Sequence, residues 1–237
     1  MEIDRYGLRR KIMNEKFFSL PQEKQQAIIN AGYRVFSRNS YRKSPMSEIA
    51  DAAGISKSLL FHYFRNKKEL YLFLWDTCAR LTLEVLRDYH CYEGDDLFVI
   101  MRKGLEAKIS LMRRYPDLGA FALKCYYEKD PEVQPEMQRL IEKYGSYKNN
   151  AAMQRLNPDQ FIPGLDLEMM YQEMFWTSEG FLWERLQEGE LDIERMNRDF
   201  GKMIDFWKQL YTRKEGSCGS HQDEPADQVL REGPGHH

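Results

Sequence analysis

Residues 44–67 of this 237-residue chain, SPMSEIADAAGISKSLLFHYFRNK, constrain its fold more than any other stretch, because two short helical patterns are separated there by a single turn. Ser44 is a candidate cap for the first helix, Pro45 suits the position just inside it, and Ile49, Ala50 and Ala53 recur at helical spacing. Gly54 ends that helix. Ile55 packs the turn, Ser56 caps again, and residues 57–64 form a second short helix whose Leu60 and Phe64, four apart, face the core. The pattern is a helix-turn-helix, with Lys57, Ser58, Phe61 and His62 left facing outward and Tyr63 at the edge.

Charge is unevenly spread. The net charge is −2, yet residues 1–70 carry 14 Lys and Arg against 7 Asp and Glu, while the remainder carries 21 against 30. A head of +7 attracts phosphates and a body of −9 avoids them. On a helix-turn-helix, the first turn of the second helix reaches base edges and flanking groups fix its register on the backbone. Lys57 can donate to guanine O6 and N7, and Ser58 can donate or accept and so discriminates less. His62, one turn on, faces the same groove.

These residues, with SKSLLFHYFRNKKELY at their centre, closely resemble the N-terminal domain of the tetracycline-repressor (TetR) family of transcriptional regulators. The resemblance covers residues 20–74. It includes the preceding helix, EKQQAIINAGYRVFSRNSY, where Ala27, Ile28, Ala31, Val35 and Phe36 recur at helical spacing. It implies that Leu59 and Phe61 lie near the groove, where apolar atoms can touch a thymine methyl, and that Tyr63 and Lys67 contact phosphates. Ser44 and Ser47, at the start of the first helix of the motif, are candidate phosphate ligands of the same kind. Many family members carry tyrosine where this chain has Phe61, so one hydroxyl contact is absent here.

The rest of the pattern is helix upon helix, and the expected class is all-α: an N-terminal three-helix DNA-binding domain and a C-terminal helical domain for ligand binding and dimerisation. The expected divisions are a basic extension at 1–20, the head at 21–66, the body at 67–213 and a disordered tail at 214–237, rich in Gly, Pro and charge. The extension is either a solvated arm or one laid on the DNA backbone. Two long segments near the end, 165–189 and 192–213, predict an antiparallel hairpin with more apolar surface than one inward stripe needs. The resemblance implies that this hairpin builds a homodimer, with Met174, Gly180, Phe181, Phe200, Ile204 and Trp207 as interface candidates. Gly180 costs about 1 kcal/mol in mid-helix, and a close approach of helices would explain it.

Between head and hairpin lie Trp75, Phe98, Met101, Met112, Phe121, Tyr126, Phe175 and Trp176. Each by itself is an ordinary core residue; together they suit an apolar, adaptable cavity. The resemblance implies a small lipophilic effector whose binding changes the separation of two heads on a palindromic double-stranded operator, with repression the expected outcome. No catalytic motif of the GxSxG, Walker, GxGxxG or HExxH kind is present, and Cys78, Cys91, Cys125 and Cys218 lack paired metal-ligand spacing. The expectation is therefore no enzyme activity, no cofactor and no metal. With 42% hydrophobic residues the chain builds a sizeable core, and it has no apolar run long enough for a membrane span, so a cytoplasmic location without membrane contact is expected. A helical carrier of small molecules without DNA binding is the alternative; it leaves the basic head unexplained.

Overall fold

The computed structural model describes the backbone of residues 15–153, 156–187 and 192–213, and all of their side chains except 146–153 and 187. The basic residues before position 15 and the tail from 214 onward, Cys218 included, lie outside the described residues. The helices are α1 (Glu15–Phe18), α2 (Gln22–Arg38), α3 (Met46–Ala52), α4 (Lys57–Tyr63), α5 (Lys67–Asp88), α6 (Leu97–Arg114), α7 (Leu118–Tyr126), α8 (Gln134–Met153), α9 (Leu167–Gln187) and α10 (Ile193–Tyr211). The all-α expectation holds, with an N-terminal helix-turn-helix in α3 and α4.

Local chemistry sets the helix ends. Gly54, at φ 67°, follows α3 in a left-handed conformation that disfavours a side chain. Ile55 N–H then donates to Ala50 O at 3.0 Å and Gly54 N–H to Asp51 O at 3.1 Å, which is the Schellman pattern of paired reverse bonds. Ser56 Oγ caps α4 by accepting from Leu59 N–H at 3.2 Å. Asn66 caps α5 by accepting from Glu69 N–H at 2.8 Å, while Glu69 accepts from Arg65 N–H. Asp96 and Asp192 cap α6 and α10 in the same way.

Two corrections concern the motif's edges. Ser44 does not cap α3: Pro45 is the N-cap, and Ser44 Oγ, fully buried, donates to Ser40 O at 3.0 Å. Proline has no N–H and a fixed φ, so it starts the helix by itself. Ala27 is exposed, and the buried face of α2 runs through Ile28, Ala31, Gly32, Val35 and Phe36. At Gly32 the helix meets α5 so closely that a Cβ would stand 2.5 Å from Leu74 Cδ1.

The apolar residues gather into two principal cores. One joins α1–α5 to α7 and the start of α8, through Phe17, Tyr33, Phe36, Tyr41, Leu60, Phe64, Leu74, Phe121 and Met137. The second joins α6, the 156–167 segment, α9 and α10, through Phe98, Ile109, Met112, Met170, Met174, Ile204 and Trp207. The end of α10 is pinned by Ile162 N–H donating to Tyr211 O and Arg213 N–H donating to Gln160 O, each at 3.0 Å.

Candidate nucleic-acid interface

On α4 one face is buried and the other open. Leu60 is wholly buried, and Lys57, Ser58, Leu59, Phe61 and His62 are exposed. The open face has a cationic first turn, with Lys57 Nζ 6.0 Å from the centre of the Phe61 ring four residues on. Leu59 is 37% and Phe61 39% exposed, so a leucine and an aromatic present part of their surface to water beside a lysine and a histidine.

Three expected phosphate groups sit differently. Tyr63 is buried against Phe17, with ring centroids 6.2 Å apart, and serves the core. Lys67 is turned back toward the head: its ammonium donates to Tyr41 O at 3.0 Å and Arg42 O at 3.3 Å and lies 4.4 Å from the centre of the Tyr41 ring. Ser44 is internal, as described above. Ser47, in the first turn of α3, is half-buried. Arg42, Lys43 and Arg65, not among the expected contacts, are exposed in the two links that flank the motif. Their signal was available as basic residues in the short connections on either side of α3 and α4. Arg42 is 83% exposed and pairs loosely with Asp130 at 3.6 Å.

The eight residues expected to line one cavity do not converge. Trp75 and Phe121 belong to the first core, while Phe98 and Met112, with Met101 against them, belong to the second. Phe175 is half-buried beside Tyr126, and Tyr126 and Trp176 lie on the surface. A distinct open groove of about 380 Å³ lies on the head, lined by Arg34, Val35, Arg38, Glu48, Asp51 and Ala52.

The hairpin residues also divide. Met174, Ile204 and Trp207 are buried inside the protomer, and Phe181 and Phe200 pack on each other with ring centroids 5.6 Å apart. Gly180 is exposed, with nothing within 4 Å of where a Cβ would stand, so no close helix approach occurs at it within the protomer. The apolar residues left open are Met169, Trp176 and Trp183, spaced by seven along α9, and Phe206 and Leu210, spaced by four along α10.

Buried thiols and phenols fill the first core. Burial pushes the Cys78 thiol up to about 12 and the Cys125 thiol well above its ordinary value. Cys78, Cys91 and Cys125 are free and buried. Among the described residues no group of three His, Cys, Asp or Glu side chains is placed to hold a metal, and no helix is long and apolar enough to cross a membrane.

Residues 28–73, from α2 into α5, match the sequence model described as bacterial regulatory proteins, tetR family. The HTH-type transcriptional regulator AcrR of Shigella flexneri is 27% identical over 122 residues, which are 50% of this chain and 57% of AcrR. The fatty acid metabolism regulator protein of Bacillus subtilis (strain 168) is 20% identical over 157 residues, 65% of this chain and 79% of that protein. The chain thus spans little more than half the length of AcrR. In fold it is similar to a TetR family transcriptional regulator from Chloroflexus aurantiacus J-10-FL, with TM-score 0.60 and 21% identity over 85% of this chain and 99% of the other. Residues 28–73, which contain α3 and α4 with its exposed face, are thus a head of the tetR family of bacterial regulatory proteins, carried on a chain whose all-helical fold is shared with a TetR family regulator.

Proposed function

We propose that this protein is a ligand-responsive transcriptional repressor that binds a palindromic operator as a homodimer and is released by a small lipophilic effector. The observation that carries the reading is the open face of α4: Lys57, Ser58, Leu59, Phe61 and His62 exposed on a basic head. Lys57 and Ser58 would read base edges, Leu59 and Phe61 would touch thymine methyls, and His62 would follow one turn later. Arg42, Lys43, Arg65 and Ser47 would fix the register on phosphates, in place of the buried Ser44 and Tyr63 and of Lys67, whose ammonium is held by the carbonyls of Tyr41 and Arg42. In this reading residues 21–66 are the DNA-reading head and 67–213 the effector and dimer body.

A single head offers few base contacts, so useful specificity asks for two half-sites. The open stripes of α9 and α10, centred on Trp176, Trp183 and Phe206, are the surface a second copy would cover. The lipophilic effector is supported by the aromatic and Met-rich body, and by the similarity to a protein named as a fatty acid metabolism regulator. An effector can release the operator only by its preference for the conformation with badly spaced heads.

The test is selection of bound sequences from a random duplex pool, with wild type beside Lys57→Ala. Enrichment of a palindrome by wild type, relaxed at the positions read by Lys57 in the variant, is the expected result. No enrichment even at low salt would overturn the reading and favour a helical carrier.

A further inference from the structure

Tyr41 lies in the link between α2 and α3 and is held from two sides by charges remote in sequence. Its N–H donates to Glu128 Oε2 at 2.8 Å, across 87 residues, and its carbonyl accepts from Lys67 Nζ at 3.0 Å, across 26. The same carbonyl accepts Ser44 N–H at 3.3 Å, closing the turn that delivers Pro45, the N-cap of α3. Lys67 opens α5, four residues after Tyr63 ends α4. This one turn therefore touches the entry to the helix-turn-helix and its exit.

Glu128 comes from the body, in the turn between α7 and α8. Its second oxygen accepts Lys129 N–H at 3.0 Å and Asp130 N–H at 2.9 Å, so the carboxylate is fixed within that turn as well as bound to the head. Two further pairs run alongside, Arg42 with Asp130 at 3.6 Å and Lys68 with Glu136 at 2.7 Å. The Tyr41 ring is buried against Tyr71, 5.1 Å between centroids, so the turn cannot swing without breaking its core contact. Bonds from an ionised group to a partly buried N–H are stronger than neutral ones, and removing the acceptor strands the donor.

We infer that Glu128 is a positioning residue for the DNA-reading head, the point at which the α7–α8 turn of the body sets the 41–44 turn and, through it and Lys67, the placement of α3 and α4. The inference rests on the DNA-binding reading above and deepens it, because a displacement of α7 would be passed to the head through this carboxylate. Glu128 touches no DNA; its effect is on the orientation of groups that do.

The experiment uses the full chain, with Glu128→Ala, Glu128→Gln and Glu128→Asp. Binding to the duplex selected by wild type and to an unrelated duplex is measured well below the melting temperature, beside hydrogen exchange at Tyr41. Glu128→Ala is expected to weaken the selected duplex about tenfold, change the unrelated one by less than about twofold, and speed exchange at Tyr41. Glu128→Gln, which offers one accepting oxygen where the carboxylate uses both, can serve either Tyr41 N–H or the 129–130 amides but not both, and is expected to bind the selected duplex with an affinity between those of wild type and alanine. Glu128→Asp keeps the charge but falls a methylene short, and carries the same test should the alanine variant lose its melting transition. Equal weakening of both duplexes, or wild-type affinity in the alanine variant, would each overturn the inference. A wild type that selects no duplex at all overturns the functional reading first, and is distinguishable because no variant is needed to see it.

Discussion

Tyr33 of α2 and Phe121 of α7 pack ring against ring with centroids 4.9 Å apart, both fully buried, and Tyr33 Oη donates to Leu74 O of α5 at 3.2 Å. The head therefore shares its core with the body. Phe36 and Tyr71 complete the cluster around Phe121, at 6.3 and 5.6 Å. A tie of this kind lets the position of α7 bear on the head, since packed cores move between discrete arrangements and do not deform freely.

Phe121→Ala should therefore cost about 3–5 kcal/mol and lower the stability of head and body together. Urea unfolding followed by far-UV circular dichroism and by hydrogen exchange in α2 would check this. A head that unfolds separately, with the body unchanged, would contradict it.

The hairpin offers a contrast between neighbours. Phe206 is 61% exposed and Trp207 is 2% exposed. Phe206→Glu is expected to keep the helical content and weaken self-association by about 30-fold or more, whereas Trp207→Ala is expected to destabilise the protomer by about 3–5 kcal/mol. Sedimentation velocity and thermal melting on the two variants separate the effects.

Asp76 of α5 has its carboxyl held above the ordinary value of 3.8, because burial outweighs the opposing pull of Arg80 and Lys143. The folded form then binds this proton more tightly than the unfolded chain. Its penalty is absent below the unfolded value, grows as pH rises through the raised one, and is fully present above it. Asp76→Asn should thus be more stable than wild type at neutral pH, with the gap closing toward about pH 4. Urea midpoints across that range would show it, and a gap that widens on acidification would contradict it.

Gly54 stands at φ 67° with open space around it, so a side chain there meets backbone strain and no clash. Gly54→Ala is expected to cost about 1–2 kcal/mol, and Gly54→Asn less. Thermal melting of both variants is the check, and equal losses would point to packing in place of backbone conformation.

Much was legible in the residues themselves. Helix ends depend on neighbours in sequence, so Gly54 as the stop of α3 and Ser56 as the cap of α4 followed from local chemistry alone. So did the open face of α4, because Leu60 and the positions around it obey a single helical period. The all-helical class and the basic head were equally local or additive properties.

Tertiary structure decided what periodicity cannot express. Lys67 was expected at a phosphate, yet a lysine's long stem lets its ammonium reach the carbonyls of Tyr41 and Arg42, partners that no spacing along the chain announces. Trp207 and Phe206 are adjacent and both aromatic, and only the packing of α10 against its neighbours makes one core and the other surface. The aromatics from Trp75 to Trp176 shared a composition but not a place, because the helices that carry them feed two cores and an outer face. The sequence by itself determined the helix-turn-helix, the cap of α4 and the charge of the head. Which faces met, and hence that Glu128 would hold Tyr41, was decided by contacts between residues far apart in the chain, whose energies depend on three-dimensional proximity and burial.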